Sequence, residues 1–384
     1  MEKVVSGAQS SASETTIHAI ADAYRGRKVL VTGHTGFKGG WLTIWLSGLG
    51  ARVTGVSLPP DQGPDNLYER ADVARRCESH FLDVRDAAAM AKIVSETQPE
   101  IIFHLAAQPL VHRGYREPLL TFDTNIMGAA NVLEAARHTP SVKAFVFVTS
   151  DKVYDNNEWV WAYRENDRLG GLDPYSASKG AAEIVARSYM TVLRGEQGGY
   201  TLATGRGGNV VGGGDWSADR IIPDIVRALR ANAPLVMRNP GATRPWQHVL
   251  ELCAGYLTLG TRLLNGWPER QVEASRFMGS FNFGPDRSNE MPVSRLAAVA
   301  LDAWGKPGHP IERGMSSLHE ATYLRVDSSK AQAELGWLPR LDFDETIRWT
   351  MNWYRQYDAN PASAAALVEE QIAAYSRLLE GKKS

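Results

Sequence analysis

The 384-residue chain has little cysteine and no large excess of charge of either sign. Its two cysteines, Cys77 and Cys253, exclude a disulfide scaffold and a four-cysteine zinc site, and they suit a reducing cytosol. The 42 Lys and Arg residues nearly balance the 43 Asp and Glu residues. This balance argues against a nucleic-acid partner or an anionic membrane, because either would need a basic surplus. No His, Cys, Asp and Glu residues have the spacing of metal ligands, so we expect no metal.

Long apolar runs are absent as well. No run approaches the roughly 18 residues that suggest a membrane-spanning helix, and the polar residues 1–25 contain no apolar core of a secretory signal. With 43% hydrophobic residues the chain can nevertheless bury a sizeable core. We therefore expect a cytoplasmic globular protein made of two domains or of one large α/β unit.

Short apolar segments rich in β-branched residues alternate with helical stretches up to about residue 208. The predicted strands lie in KVLVT, ARVTGVSL, HFLDV, EIIFHLAA, KAFVFVTS and YTLATGR. This alternation predicts βαβ units around a parallel sheet covered by helices on both faces, which is a Rossmann-type doubly wound α/β fold. We expect the segment SFNFG, at 280–284, to return to this sheet.

The domain boundaries follow from a change in composition. Residues 1–24 are expected to form a flexible tail, with a leader helix near His18 to Tyr24 as the alternative. Residues 25–208 are expected to form the Rossmann domain, to which 245–285 return. Beyond residue 208 Trp, Pro and Arg become denser. We therefore assign 209–244 and 286–384 to a smaller, mostly C-terminal substrate-binding domain.

The 35 glycines are unevenly distributed, and one cluster directly follows the first predicted strand. Gly33, Gly36 and Gly39 form a GxxGxxG turn that opens a helix, which is the position of a dinucleotide-binding loop. Without side chains, these residues would let the backbone approach a pyrophosphate at the positive N-terminus of the helix. A tight turn without a ligand is the alternative, but the position at the first strand–helix turn favours binding.

The end of the second predicted strand indicates which dinucleotide binds. It ends in Ser57-Leu58 rather than in the carboxylate that usually holds the ribose 2′-hydroxyl of NAD. No arginine lies in that turn for a 2′-phosphate, although Lys38 is a candidate source of charge, so NAD with modest affinity is favoured. Asp83 is a candidate acceptor for the adenine amino group, and the alternative is that it caps the following helix.

Two further motifs contain residue types that transfer protons. Tyr175 and Lys179 lie four residues apart, which on a helix places both side chains on one face. A nearby ammonium group favours the phenolate, so Tyr175 could act as a general base near neutral pH. An ordinary exposed helix is the alternative. Thr149 ends a predicted strand upstream, where its hydroxyl could bind a substrate oxygen beside the tyrosine.

These motifs together resemble the extended short-chain dehydrogenase/reductase superfamily of nucleotide-sugar epimerases and dehydratases. The resemblance covers roughly residues 27–355 and is carried by TGHTGFKG, HLAAQ, TSDKVY, YSASK and RPWQHV. Longer stretches such as GGLDPYSASKG and GNVVGGGDWSADRIIPD resemble its dehydratases for CDP-linked sugars. The resemblance implies NAD as cofactor and a nucleotide sugar, CDP-glucose, as substrate in deoxysugar biosynthesis. It also implies a homodimer formed through the helices that follow TNIMG and begin at YSASK.

The resemblance also implies which residues hold the two ligands. The cofactor residues would be Gly33, Thr35, Gly36, Phe37, Gly39, Asp83, Val84, Leu105, Ala106, Ala107, Tyr175 and Lys179. The substrate residues would be Gln108, Asn209, Arg220, Arg244, Asn282 and Glu320. Arginine suits a diphosphate because its planar fork binds two oxygens at once, although a purely structural role is the alternative. Glu320 would accept a hydrogen bond from the cytosine amino group.

The adjacent pair Asp151-Lys152 distinguishes a dehydratase from an epimerase. An epimerase needs redox chemistry only at C4, whereas a dehydratase must also remove the C5 proton and the C6 hydroxyl. The resemblance implies that Tyr175, assisted by Thr149 and Lys179, takes the 4-hydroxyl proton, and that Asp151 protonates the leaving C6 hydroxyl. Lys152 is then the C5 base, an electrostatic stabiliser of the enolate or a surface partner of Asp151. A nucleotide-sugar 4-epimerase and a non-catalytic NAD(P)-sensing protein are the alternative functions.

Overall fold

The computed structural model describes residues 16–61, 63, 65–195, 199–265, 276–314 and 323–381. The strands in this part of the chain are β1 Lys28–Thr32, β2 Arg52–Ser57, β3 Glu78–Phe81, β4 Ile101–His104, β5 Ala144–Val148, β6 Thr201–Gly207, β7 Val210–Val211, β8 Leu235–Met237, β9 Thr243–Pro245, β10 Gln247–His248, β11 Ser280–Phe283, β12 Glu290–Pro292 and β13 Ile311–Arg313.

Helices separate most of these strands. The α-helices of the described residues are α1 Ile17–Tyr24, α2 Phe37–Gly48, α3 Leu67–Arg70, α4 Ala87–Thr97, α5 Val111–Arg116, α6 Pro118–Phe122, α7 Ala129–Arg137, α8 Pro174–Gly195, α9 Ile221–Ala231, α10 Val249–Asn265, α11 Val293–Trp304, α12 Phe343–Ala359 and α13 Ala364–Leu379. A π-helical turn, Asp123–Gly128, joins α6 to α7, and a 3-10 turn, Asp151–Val153, follows β5.

Seven strands form one sheet in the order β11-β6-β5-β4-β1-β2-β3, and all neighbouring pairs are parallel. The predicted Rossmann-type doubly wound α/β fold is therefore confirmed. The strand order reverses between β1 and β4, and ligands of such sheets bind in the crevice at this switch point. The segment SFNFG returns to the sheet as β11, which pairs with β6.

Alternation along the strands explains why both faces of the sheet are covered. In β1, Val29 and Val31 pack into one apolar cluster and Leu30 into the other. In β5, Val146 faces the first cluster and Phe145 the second. Because successive side chains of a strand point to opposite faces, a strand that is apolar at every position needs helices on both sides.

The N-terminal segment differs from the expected tail. Its residues from Ile17 form α1, which Thr16 caps by accepting a hydrogen bond from the backbone N–H of Ala19. Ile20 and Tyr24 are fully buried, and the Tyr24 hydroxyl donates to the carbonyl of Leu257 on α10 at 2.8 Å. Apolar side chains on one face of a short helix thus attach it to the Rossmann core, which corrects the expectation of a flexible tail for 17–24.

The expected division into two domains also differs at the C-terminal end. Three small two-stranded sheets, β7 with β10, β8 with β13 and β9 with β12, lie outside the main sheet. The last helix, α13, which belongs to the range expected in the substrate domain, packs instead on α2 and α12. The Tyr375 ring meets the Trp45 ring edge-on with 5.9 Å between centroids, so this helix covers the Rossmann core.

A buried ion pair joins several of these elements beneath the carboxyl end of the sheet. Arg206 on β6 donates through Nε and Nη2 to the carboxylate of Glu183 on α8, at 3.0 and 2.8 Å, and both side chains are buried. Glu183 also accepts from the hydroxyls of Thr149, Thr204 and Ser280 at 2.5, 2.9 and 3.1 Å. Burial raises the pKa of Glu183, whereas Arg206 and the threonine hydroxyls lower it. The lowering is the larger effect, so the pKa of Glu183 lies below its ordinary value.

We predict that Arg206→Met lowers the free energy of unfolding by about 3–5 kcal/mol, because it leaves the Glu183 carboxylate buried without its cation. The double variant Arg206→Met with Glu183→Met should recover much of this loss. Because the pKa of Glu183 is lower in the folded chain than in the unfolded chain, the pair stabilises above the ordinary Glu pKa, and this contribution is lost as the pH falls. Urea denaturation at neutral and mildly acidic pH measures the free energy of unfolding of each variant and its dependence on pH. A loss below about 1 kcal/mol for Arg206→Met at neutral pH would contradict the prediction.

Candidate active site

The glycine-rich turn after β1 has the geometry of a dinucleotide cradle. Gly33 adopts a φ of +81°, and a Cβ there would lie 2.8 Å from the backbone nitrogen of Ala106. A Cβ at Gly39 would collide with the carbonyl of Gly33. The turn therefore requires glycine at both positions, as a loop that approaches a ligand with its backbone does.

The N-terminus of α2 is open for an anion. Gly36 is its N-cap residue and provides no side-chain hydrogen bond to the first N–H groups, and Phe37 is the first helical residue. These uncapped donors and the helix dipole suit a pyrophosphate. The cradle thus fits the predicted dinucleotide, and the expected cofactor residues Gly33, Gly36, Phe37 and Gly39 all belong to it.

The end of β2 lies beside this turn. The Thr35 and Ser57 hydroxyls are 2.7 Å apart, and Thr35 also donates to the carbonyl of Leu58 at 3.1 Å. The side chains at the end of β2 are therefore small hydroxyls, at the place where an Asp or Glu usually binds the ribose of NAD. Lys38 does not provide charge here, because its side chain points into a different cavity, described below. This corrects the idea that it could serve a 2′-phosphate.

Asp83 follows β3 at the same edge of the sheet. It is not the cap of α4, since Asp86 accepts the hydrogen bond from the backbone N–H of Ala89 at 2.9 Å. Asp83 is bound by the guanidinium of Arg85 at 2.6 Å, and these hydrogen bonds lower its pKa. Its carboxylate therefore remains an acceptor, and contact with adenine remains a prediction.

The loop after β4 closes the cradle on the other side. The backbone N–H groups of Leu105 and Ala106 donate to the hydroxyl of Thr32 at 3.1 and 3.2 Å, and Ala107 follows in the same loop. The sequence interpretation missed Thr32, although its place as the last residue of β1 is a usable signal. The Val84 side chain is buried in the core cluster beneath this edge and cannot reach a ligand. Its predicted contact with the cofactor would therefore involve its backbone.

A cavity of about 430 Å³ opens beside the glycine-rich turn. It lies between the carboxyl ends of β5 and β6, the start of α8 and the segment before α9. Its lining includes the predicted residues Thr149, Asp151, Lys152, Tyr175, Asn209, Arg220 and Arg244. The structure thus brings together, in one place, residues that are up to 95 positions apart in the sequence.

Tyr175 and Lys179 lie on α8 and are both buried, which contradicts the alternative of an exposed helix. Burial raises the pKa of the Tyr175 phenol to about 12, while a hydrogen bond with Ser150 and the charge of Arg220 lower it. Burial and the charge of Lys38 lower the pKa of Lys179 to about 7. The expected phenolate is therefore not favoured in the chain alone, because burial of the phenol outweighs the hydrogen bond and the charge that favour it.

The structure corrects the role predicted for Thr149. Its hydroxyl donates to the buried carboxylate of Glu183 at 2.5 Å and so belongs to the ion-pair network. The hydroxyl that lies against the Tyr175 phenol is that of the next residue, Ser150. Successive residues at the end of a strand point in opposite directions, so only one of the two can face the tyrosine.

Asp151 stands at the centre of the cavity wall. One carboxylate oxygen, Oδ1, accepts from the Ser150 hydroxyl at 2.9 Å, and the other, Oδ2, is buried without a hydrogen-bond partner. A Cβ at Gly208 would collide with this carboxylate, so glycine is required for Asp151 to occupy its place. Among the described residues no ion pair joins Lys152 to Asp151, which contradicts the surface-pair alternative.

The predicted substrate residues divide into two groups. Asn209, Arg220 and Arg244 line the cavity, and Arg220 pairs with Asp215 at 2.7 Å. Asn282 does not reach it, because its side chain accepts from the Tyr154 hydroxyl at 2.7 Å and donates to two backbone carbonyls.

Gln108 is likewise committed inside the protein. Its amide donates to the Thr121 hydroxyl at 2.9 Å and accepts from the backbone N–H of Leu110 at 2.7 Å. Both Gln108 and Asn282 therefore fail as substrate residues, because folding satisfies their amides internally. Glu320 lies outside the described residues and remains a prediction.

The sequence interpretation also missed Asn125. It lies in the π-helical turn, and such turns are frequent at functional sites. Its side chain binds the backbone of Gln108 at 2.8 Å and the hydroxyl of Ser178 at 2.8 Å. Since Ser178 precedes Lys179, this contact fixes the start of α8 against the loop after β4. A helix that changes its hydrogen-bond pattern leaves no clear sign in sequence periodicity.

Two classes of site are absent from the described part of the chain. Within the described ranges, no group of three or more His, Cys, Asp and Glu side chains could hold a metal ion. None of the helices in the described part of the chain is long and apolar enough to cross a membrane.

Comparison with known proteins agrees with this geometry. The family model described as GDP-mannose 4,6 dehydratase matches residues 30–350. The chain is 43% identical over 338 residues to the CDP-glucose 4,6-dehydratase of Salmonella typhimurium. The aligned region covers 87% of this chain and 92% of that protein.

Solved structures share the fold. The dTDP-glucose 4,6-dehydratase of Streptomyces venezuelae, with NAD and TYD bound, has a TM-score of 0.72 at 24% identity and covers 87% of this chain and 99% of its own. The UDP-glucose 4-epimerase of Thermotoga maritima, with UDP-glucose, has a TM-score of 0.73 at 22% identity and covers 86% of this chain and 99% of its own.

Proposed function

The chain belongs to the GDP-mannose 4,6 dehydratase family, and from this premise we propose that it converts CDP-glucose to CDP-4-keto-6-deoxyglucose. It is an NAD-dependent sugar-nucleotide 4,6-dehydratase, a hydro-lyase. The similarity to a CDP-glucose 4,6-dehydratase along most of both chains carries the choice of substrate. The Asp151 carboxylate, which stands close enough to Tyr175 to affect its pKa, supports dehydration chemically.

NAD would lie on the open N-terminus of α2, with the glycine-rich turn and the loop after β4 around it. When bound, it would accept the C4 hydrogen with its electron pair and later return both to C6, while C5 regains a proton. The phenolate of Tyr175, which the chain alone does not favour, would be stabilised by the positive charge of the oxidised cofactor. Tyr175 could then take the proton of the sugar 4-hydroxyl, with the Ser150 hydroxyl beside it.

The second half of the reaction removes water. The 4-keto group acidifies the C5–H bond, and loss of that proton with the C6 hydroxyl gives the unsaturated sugar. Asp151 is the proposed acid for the leaving hydroxyl, because its unpartnered oxygen can carry the proton. Lys152 lines the same cavity, either as the C5 base or as a charge that stabilises the enolate. Arg220 and Arg244 would hold the diphosphate.

Two other functions fit the fold less well. A 4-epimerase would have no use for a second acid beside the tyrosine, and Asp151 is placed there by a glycine that makes room for it. A non-catalytic sensor of NAD(P) would have no need for a buried tyrosine that lines a cavity of nucleotide-sugar size, with a buried lysine one helical turn behind it. Both alternatives therefore leave residues of the site unexplained.

Of the predictions that follow from this proposed function, the first concerns the substrate. The purified chain incubated with NAD and CDP-glucose should form a 4-keto-6-deoxy sugar, detected by mass spectrometry as the loss of one water. We expect dTDP-, UDP- and GDP-glucose to react at least tenfold more slowly at equal concentration. Inversion at C4 without loss of water would indicate an epimerase, and tight NAD binding without turnover a sensor.

The second prediction separates the steps of the reaction. Asp151→Asn removes the proposed acid but keeps Tyr175, so the variant should reduce bound NAD when CDP-glucose is added and should release at least a hundredfold less dehydrated product. Tyr175→Phe should abolish both, because C4 oxidation comes first. Absorbance of the reduced nicotinamide follows the first step and mass spectrometry the second. Dehydration by Asp151→Asn at the unaltered rate would contradict the assignment.

We also propose that the chain forms a homodimer through the surface of α6, α7 and α8. These helices are neighbours, and α6, α8 and the π-helical turn between α6 and α7 leave large apolar side chains exposed: Leu119 81%, Ile184 59% and Met127 53%. Such side chains on adjacent helices are typical of an interface.

The reaction would take place in a reducing cytosol, which the unpaired Cys77 and Cys253 suit.

The third prediction tests this surface. Ile184→Glu places a charge in the proposed interface and should convert a dimer into a monomer in sedimentation experiments. Ile311→Glu is the matched control, since Ile311 is an exposed isoleucine on β13 in the other half of the molecule, and should leave the mass unchanged. A monomeric unaltered chain at micromolar concentration would contradict the proposal.

A further inference from the structure

Lys38 is a charged residue of the reaction cavity that the proposed mechanism does not use. It is the second residue of α2, directly after the glycine-rich turn, and its side chain lines the cavity together with Tyr175 and Asp151. Within the described ranges its ammonium group has no hydrogen bond or ion pair with another protein group, and Asp151 and Asp215 act on it only as neighbouring charges. A lysine that packs for structural reasons usually finds a carboxylate or a carbonyl, so an unpaired cation facing a cavity requires another explanation.

The surroundings of Lys38 contain charges of both signs. Arg220 and Lys179 are close enough to repel it, and Asp151 and Asp215 are close enough to attract it. Burial lowers the pKa of Lys38 to about 8, and Arg220 lowers it while the two carboxylates raise it. The ammonium is therefore mostly protonated at neutral pH. Its charge is also felt by Lys179, whose pKa it lowers.

The position of Lys38 along the cofactor follows from the two ends of the site. The adenine end would lie toward Ser57, at the end of β2, and the pyrophosphate on the N-terminus of α2. The nicotinamide must reach the sugar carbon whose hydroxyl contacts Tyr175. Because the Lys38 side chain lines the same cavity as Tyr175, it would lie toward the nicotinamide end of a bound cofactor.

We propose that the ammonium group of Lys38 raises the reduction potential of bound NAD and so favours oxidation of the sugar at C4. This inference rests on the proposed function, since it needs NAD in the cradle. In that step the C4–H bond breaks and its electron pair passes to the nicotinamide, while the hydroxyl proton goes to Tyr175. The nicotinamide ring carries a positive charge before the step and none after it. A fixed cation nearby therefore destabilises the oxidised form more than the reduced form.

This role differs from a phosphate contact in what it does to affinity. A cation that binds the pyrophosphate would strengthen the binding of the oxidised and the reduced cofactor alike, because both carry the same phosphates. A cation near the ring changes the ratio of the two affinities. Lys38 is thus a residue that would tune the cofactor without touching the reacting atoms of the sugar.

The fourth prediction is that Lys38→Met changes this ratio. We expect the dissociation constant of NAD+ divided by that of NADH, measured at pH 7 by calorimetric titration without sugar nucleotide, to fall about tenfold. For a two-electron couple, a tenfold change corresponds to about 30 mV. Lys38→Gln, which also removes the charge but keeps a polar end, should give the same change if the methionine variant folds poorly. Lys38→Arg should preserve the ratio.

The matched control is Lys92→Met, which removes an exposed ammonium group on α4, far from the cavity, and should leave the ratio unchanged. An unchanged ratio in both neutral Lys38 variants would overturn the inference, and so would an equal loss of both affinities, which would make Lys38 a phosphate ligand. If the unaltered chain binds neither form of the cofactor, the proposed function itself fails. The two failures are therefore distinguishable.

Discussion

The buried ion pair between Glu183 and Arg206 is the contact on which the reaction site depends most. Glu183 stands one helical turn beyond Lys179 on α8, so the pair fixes which face of this helix meets the cavity. Because an unpaired charge in the core is costly, α8 cannot rotate or withdraw from β6 without a large loss of stability. The Thr149 hydroxyl is drawn into the same network, and the chain then turns Asp151 toward the cavity.

Charge is the second constraint on the site, since a small volume holds cations and carboxylates from three separate segments. Lys38 comes from the glycine-rich turn, Asp151 from the end of β5, and Asp215 with Arg220 from the segment before α9. Such groups act strongly on one another because they lie close together in a partly buried site. A substrate with two phosphates and a reaction that moves protons and an electron pair both require charges that are fixed in advance. The near-neutral composition of the chain is consistent with this local use of charge.

The fold was predictable from the sequence, and the site was predictable only in part. Alternating strands and helices fix the sheet, and the spacing of the glycine-rich turn and of Tyr175 with its lysine locates the cofactor cradle and the helix. The choice between Thr149 and Ser150 was not predictable, because adjacent residues differ only in the direction in which the backbone aims them. The prediction for Asn282 was wrong for a related reason, since its side-chain amide binds the Tyr154 hydroxyl and the Tyr163 carbonyl inside the protein. The direction of Lys38 depends on how α2 meets α10, which no local pattern records.

In the proposed reaction a single site oxidises C4 of the sugar, removes water and returns the same hydrogen to C6. CDP-glucose carrying deuterium at C4 tests this most directly, with the product examined by NMR after reaction with the purified chain and NAD. We expect the deuterium at C6 of the 4-keto-6-deoxy sugar, without dilution by unlabelled NADH in solution. Deuterium retained at C4 of an epimerised sugar, or lost to the solvent, would contradict it.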